Sequence, residues 1–203
     1  MTDSPYETLR ADPDIGPLVE RHGELTLDPA SDLFERLVVS ILRQQVSMAS
    51  AAATRERLFD AVTVTPAGIA DADDEVLRDA GLSRQKTRYV NEVAETFLAE
   101  EYSLATFEDA TDEDIREALT AITGVGDWTA NMQLLFAFGR EDVFPVGDLG
   151  IRKGFEAVVG EGYSRAEMRE YAERWSPYRS YASLYLWRAD EDIAESVAEV
   201  RED

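Results

Sequence analysis

The chain reads as all-α: apolar residues recur at three- and four-residue spacing over long stretches, Gly and Pro fall mostly between those stretches, and no sustained alternating strand pattern occurs. At 203 residues it is long enough for one generous domain or for two small lobes, each burying its own core. Residues 32–44 place Leu33, Phe34, Leu37, Val38, Ile41 and Leu42 on one face, which predicts a core helix. Gln44-Gln45-Val46 then forms a polar junction, and a second helix restarts near Ser47, carrying the small residues Ala49 to Ala53 towards Leu58 and Phe59. After Thr65-Pro66, a helix across 73–80 ends at Gly81, and Ser83 caps a longer one with Tyr89, Val90, Val93, Phe97 and Leu98 inward.

Thr111 followed by Asp112, Glu113 and Asp114 marks another helix start, with a capping hydroxyl and acids in the first turn. That helix carries Ile115, Ala118, Leu119 and Ile122 and must stop at Gly124. Beyond Gly126, Trp128, Met132, Leu135 and Phe136 resume helical spacing until Gly139. Val143-Phe144-Pro145-Val146-Gly147 is a loop leading into Asp148, and residues 148–160, 164–175 and 179–189 read as three short helices. Residues 1–30 are expected to pack as an N-terminal segment on a helical core of 31–190, with 191–203 an acidic tail that frays.

Composition excludes several chemistries. With no cysteine there are no disulfides, thiolate metal sites, iron–sulfur clusters or cysteine nucleophile. The N-terminus carries no basic and apolar leader and no apolar run approaches membrane-spanning length, so a soluble, cytoplasmic protein is expected. The net charge of −22 is opposite to the footprint of a nucleic-acid-binding domain. Yet Lys86 and Lys153 are the only lysines among the basic residues, and the carboxylates are spread along the chain. That pattern suits a halophilic protein in molar salt, where the Debye length is about 3 Å and a distant acidic coat no longer opposes phosphate binding.

Two segments carry candidate chemistry. Thr123-Gly124-Val125-Gly126-Asp127-Trp128-Thr129-Ala130 lies between two amphipathic helices, and glycines there permit close backbone approach. The N–H groups of Gly124, Gly126 and the following helix N-terminus can converge on one phosphate without any lysine. Taken alone, the glycine pair is more often just a tight αα-turn. Asp148, at the start of the next helix, reads in isolation as an N-cap. A cap also holds the carboxylate rigid while leaving its second oxygen to act.

The order of that hairpin with Trp128-Thr129-Ala130-Asn131, Asp142-Val143-Phe144-Pro145, Asp148, Tyr171-Ala172-Glu173-Arg174-Trp175, Pro177 and Arg179-Ser180-Tyr181-Ala182 resembles the 3-methyladenine DNA glycosylase II (AlkA-like) family of helix-hairpin-helix glycosylases. Leu42-Arg43-Gln44-Gln45-Val46-Ser47 before it and Trp187 after it fit the same pattern. The resemblance implies an all-α, two-lobed HhH-GPD fold with a base pocket between the lobes. It also implies a monofunctional N-glycosyl hydrolase that flips an alkylated purine such as 3-methyladenine out of DNA and excises it, leaving an abasic site.

For individual residues, the resemblance makes Asp148 catalytic, stabilising an oxocarbenium-like state and orienting or deprotonating water. Trp128 stands where bifunctional relatives carry a lysine nucleophile, so no Schiff base is expected there. Trp128 and Trp187 become aromatic walls for a cationic base, with ordinary core packing as the alternative. Gly124, Gly126 and Thr129 belong to the DNA-backbone grip. Gln45 matches the region where the family fills the gap left by the flipped nucleotide, and Gln44 is equally a plug or a bond within the junction. Backbone carbonyls of Thr120, Ile122 and Val125 would hold a monovalent cation, and no other cofactor is implied. The implied partners are double-stranded DNA with a damaged base and downstream abasic-site processing enzymes, with the protein acting as a monomer.

Departures from the family pattern bear on substrate range: Thr123 stands where many hairpins have proline, Asp127 sets an acid beside the phosphate grip, and Met132 and Leu149 offer no further aromatic wall. The alternatives are the same scaffold acting on an oxidised, deaminated or mismatched base, and a DNA-binding protein without turnover. His22, the only histidine, reads as surface or cap chemistry. Arg84, Lys86 and Arg88 read either as phosphate contacts or as solvated cations.

Overall fold

Short polar side chains start most of the helices. Asp32, Ser47, Thr65, Ser83, Thr111, Asp148 and Ser164 each accept a hydrogen bond from a backbone N–H in the first turn that follows. Each such cap contributes about 1 kcal/mol. The computed structural model describes residues 4–189, and the acidic tail expected at 191–203 lies outside the described residues. In chain order the helices are α1 (Pro5–Arg10), α2 (Gly16–His22), α3 (Leu33–Arg43), α4 (Met48–Ala61), α5 (Pro66–Ala70), α6 (Asp74–Asp79), α7 (Arg84–Glu100), α8 (Asp112–Thr120), α9 (Asp127–Phe136), α10 (Leu149–Val158), α11 (Arg165–Ala172) and α12 (Arg179–Leu186). A 3₁₀ turn, Glu173–Trp175, follows α11. The described residues contain no strand, and none of their helices is long and apolar enough to cross a membrane.

The chain divides into two compact units. Residues 30–138 form one, built from α3 to α9. Its axis is α3, whose Leu33, Phe34, Leu37, Val38, Ile41 and Leu42 are all buried, and which packs against α4, α7 and α9. A buried polar tie crosses from α9 to α3, where Gln133 Nε2 donates to Ser40 Oγ at 2.9 Å. A chain of ring contacts, Phe34–Phe97–Tyr102–Phe107–Phe138, runs through the same unit, edge-on except for the tilted Tyr102–Phe107 pair. One expectation fails on α7: Val90, Val93 and Phe97 are buried, but Leu98 is 51% exposed. Successive helix residues lie about 100° apart, so a face centred on Val90, Val93 and Phe97 turns the next position towards solvent. Helix α5, which periodicity did not predict, is too short for the apolar pattern to repeat and packs on α7 through buried Ile69.

The described residues 4–29 and 139–189 form the other unit, so segments from before and after the first unit fold together. Tyr171 Oη donates to Asp14 Oδ2 and Tyr185 Oη to the Gly23 carbonyl at 2.7 Å, joining segments far apart in sequence. The core centres on fully buried Trp175, ringed edge-on by Phe144, Phe155 and Tyr171 at centroid distances of 5.9, 6.1 and 5.9 Å. Helix α10 packs closely on α12: a Cβ on Gly154 would stand 2.0 Å from the Leu186 carbonyl oxygen. Only glycine permits that approach, and it sets the C-terminal end of α12 beside the first turns of α10.

Candidate active site

At the N-terminus of α10, Asp148 has extended backbone geometry and its Oδ1 accepts the Ile151 N–H at 3.0 Å, the helix cap expected from sequence. The same oxygen accepts a second bond, from Trp187 Nε1 at 2.8 Å. Gly150 makes room for it, since a Cβ there would stand 2.7 Å from Trp187 Cδ1 and 3.0 Å from its Nε1. The carboxylate is therefore fixed by two donors that approach one oxygen from different elements. Trp187 is only 5% exposed, which matches core packing, and it also acts as a hydrogen-bond donor to Asp148, a role that neither sequence reading of this residue anticipated.

The loop that delivers Asp148 is tied down at both ends. At its start, Asp142 receives Arg179 Nε at 2.7 Å, Arg179 Nη2 at 3.0 Å, the Arg179 backbone N–H at 3.2 Å and Ser176 Oγ at 2.9 Å. Burial opposes ionisation of Asp142, but the bonds from Arg179 and Ser176, together with the Arg179 charge, prevail and hold its carboxyl below the usual range. Buried Ser180 Oγ accepts the Val143 N–H at 2.9 Å and donates to the Arg140 carbonyl at 2.6 Å. These contacts give the Asp142 and Arg179-Ser180 motifs a common physical role. At the loop's end, Arg152 Nη1 donates to the carbonyls of Val146, Gly147 and Asp148 at 3.3, 2.7 and 3.2 Å.

In the other unit, the hairpin joins α8 to α9. Gly124 has φ +92°, and a Cβ there would come within 2.3–2.7 Å of the Tyr89 ring atoms, so both backbone conformation and packing demand glycine. Gly126 is the N-cap of α9 and no side chain caps that helix, whose opening N–H groups belong to Gly126, Asp127, Trp128 and Thr129. This is the arrangement that an anion requires. The Thr129 side chain, 2% exposed, is turned into the protein, so what it adds to the helix N-terminus is its backbone N–H.

The structure separates the two junction glutamines. Gln44 reaches inward, its Nε2 donating to the Gly124 carbonyl at 3.0 Å and to Thr129 Oγ1 at 3.4 Å, so it bonds the junction to the hairpin. Gln45 is exposed and left-handed at φ 58°, a conformation that costs a non-glycine residue about 1–3 kcal/mol and is found disproportionately at functional sites. Val46 beside it is 44% exposed. Lys86, a candidate phosphate contact, instead donates to the Leu42 carbonyl in the last turn of α3, and burial pushes its ammonium below the usual lysine range. Arg84 and Arg88 are exposed, and Arg88 lies 3.8 Å from Glu92.

Trp128 is half-buried on the first turn of α9. Among the described residues no group of three or more His, Asp or Glu side chains could hold a metal ion, so a bound cation would depend on carbonyl oxygens. The Ile122 carbonyl already accepts the Val125 N–H at 3.0 Å, and a carbonyl oxygen has a second lone pair to offer. Thr120 closes α8, and a helix C-terminus favours positive charge. His22 lies in the last turn of α2, where burial, then Arg188 and Arg21, push its pKa down.

The family model of the HhH-GPD superfamily base excision DNA repair proteins matches residues 38–177. DNA-3-methyladenine glycosylase 2 of Escherichia coli is 32% identical over 185 residues, covering 85% of this chain and 63% of that protein. The crystal structure of a DNA-3-methyladenine glycosidase from Bacillus halodurans superposes with a TM-score of 0.84 at 33% identity, covering 100% of this chain and 98% of the other. The 3-methyladenine DNA glycosylase of Schizosaccharomyces pombe, solved in complex with abasic DNA, superposes with a TM-score of 0.81 at 27% identity, covering 91% of this chain and 95% of that one. The chain belongs to the HhH-GPD superfamily of base excision DNA repair proteins, in its 3-methyladenine DNA glycosylase branch.

Proposed function

We propose that the protein is a monofunctional DNA glycosylase that hydrolyses the N-glycosidic bond of alkylated purines such as 3-methyladenine in double-stranded DNA. The observation that carries this reading is the Asp148 carboxylate, fixed through Oδ1 by Ile151 N–H and Trp187 Nε1 in a chain of this family. Cleavage sends the bonding electron pair to the departing base and leaves positive charge on the sugar. A preorganised carboxylate stabilises that charge and takes the proton of the water that adds to the anomeric carbon. A ring-alkylated purine is already cationic and leaves without a strong acid from the protein. Neither Lys86 nor Lys153 lies in the hairpin, so the sugar is not captured covalently there.

The uncapped N-terminus of α9, with Gly124 and Gly126, grips a backbone phosphate, and exposed Gln45 fills the space vacated by the flipped nucleotide. Trp128 contacts the base, and carbonyls of Thr120, Ile122 and Val125 hold a monovalent cation that stiffens the hairpin. The protein works as a monomer in high salt and hands its abasic product to enzymes that process such sites. A panel of duplexes bearing alkylated, deaminated, oxidised or mismatched bases, assayed in molar KCl, tests this. Alkylpurines should be released fastest, the strand should break only after alkali or heat, and borohydride should trap no protein–DNA adduct. A trapped adduct, or preferential release of an oxidised base, would overturn the assignment.

A further inference from the structure

We infer that Arg152 is a positioning residue for the reaction, holding the backbone from which the Asp148 carboxylate projects. This rests on the catalytic reading of Asp148 above. The side chain of Asp148 is fixed by Ile151 and Trp187, but its Cα sits at the end of an irregular loop whose preceding residue, Gly147, is exposed and has no side chain to pack. Two turn bonds shape the loop internally, Val146 N–H to Phe144 O at 2.9 Å and Asp148 N–H to Pro145 O at 2.8 Å. The first backbone bond of α10, from Arg152 N–H to Asp148 O, is long at 3.3 Å.

The Arg152 guanidinium compensates. Its Nη1 bonds Gly147 O at 2.7 Å and reaches Asp148 O at 3.2 Å and Val146 O at 3.3 Å, drawing three successive carbonyls to one charged donor. Charge-assisted bonds are stronger than neutral ones, and the planar guanidinium keeps its donors in fixed directions. Arg152 is half-buried, one turn beyond Asp148, whereas its neighbour Lys153 is exposed. The two cations thus carry the same charge into the same turn, and Arg152 is the one whose guanidinium bonds the loop carbonyls while Lys153 faces solvent. Displacing a reacting group by about 1 Å can cost about a hundredfold in rate, so a clamp on the loop acts on chemistry without touching DNA.

The test compares Arg152→Met, Arg152→Lys, Lys153→Met and Asp148→Asn in the full chain. Three quantities are measured: single-turnover excision at saturating enzyme, affinity for a duplex carrying a tetrahydrofuran abasic analogue, and amide exchange at Ile151, which reports the Asp148 cap. Arg152→Met should lower the rate by about tenfold to a hundredfold with unchanged affinity, and should speed exchange at Ile151. Arg152→Lys, which keeps a charged donor, should recover much of the rate, and Lys153→Met should leave it unchanged. Weakened affinity with an unchanged rate at saturation would make Arg152 a phosphate contact and overturn the proposal. So would unchanged exchange at Ile151, or a rate loss in Arg152→Met that Arg152→Lys fails to restore. Wild-type activity in Asp148→Asn would instead remove the catalytic reading, and the exchange result would still decide whether Arg152 holds the cap.

Discussion

Around Asp148 the working atoms belong to a side chain and are fixed by directed hydrogen bonds from Ile151 and Trp187, whereas around Gly124 they belong to the backbone and are fixed by packing against Tyr89. In the proposed reaction the first region holds one charge where positive charge develops on a sugar. The second, as proposed, offers several N–H groups to a phosphate without a lysine, in a chain of net charge −22. On the proposed reading, side-chain chemistry governs rate in the first region and backbone conformation governs affinity in the second.

The largest effect that can break this contrast is expected from Asp148→Asn. It keeps size and capping ability but removes the charge, so single-turnover excision should fall about 10²–10³-fold while folding and DNA affinity persist. Weakened DNA binding as the main defect would erase the distinction between the regions. Next comes Trp187→Phe, which keeps a ring but removes the donor to Asp148 Oδ1. A hydrogen bond to a charged group contributes about 1.5–3 kcal/mol, so a loss of about tenfold or more is expected, equal for cationic and neutral lesions. A loss confined to cationic lesions would return Trp187 to the role of stacking wall.

Hairpin glycines sharpen the other half of the comparison. Gly124→Ala adds a Cβ at φ +92° against the Tyr89 ring, and should lower stability by about 1–3 kcal/mol as well as weakening DNA binding. Gly126→Ala meets nothing within 4 Å, so its melting temperature should hold and any loss should appear in affinity alone. Differential scanning calorimetry beside a binding titration separates the two. The smallest effect concerns Asp142, whose carboxyl, despite burial, is held below the usual carboxylate range by Arg179 and Ser176. Its stabilisation should be complete above the usual carboxylate range and disappear as pH falls through the lower folded pKa. Asp142→Asn should flatten the thermal-stability profile in that acid window, and an unaltered profile would mean that the pair with Arg179 contributes little.

Local signals in the sequence determined most of the secondary structure. Capping residues such as Ser47, Ser83, Thr111 and Asp148 declare helix starts through their own short-range hydrogen bonds, and the apolar spacing of Leu33 to Leu42 declares a buried face. The same locality explains what escaped. Leu98 has the right residue type for a core but the wrong angular position, and α5 is shorter than the pattern needed to reveal it. Gln44 and Gln45 are chemically identical, and only the fold decides that one bonds Gly124 while the other is exposed at positive φ.

Around the candidate site, the sequence alone determined the residue types: an aspartate at a helix start, two glycines between helices, a tryptophan near the end. The spacing of Asp148 and Arg152, one helical turn apart, was a usable signal for their proximity. Tertiary structure decided the partnerships of Trp187 with Asp148 and Arg179 with Asp142, which join residues 39 and 37 positions apart. No local periodicity encodes such pairs. The Trp187–Asp148 pair exists because Gly150 and Gly154 let α10 close onto α12, and the contacts that follow from that approach are set by packing between helices, not by the propensities within them.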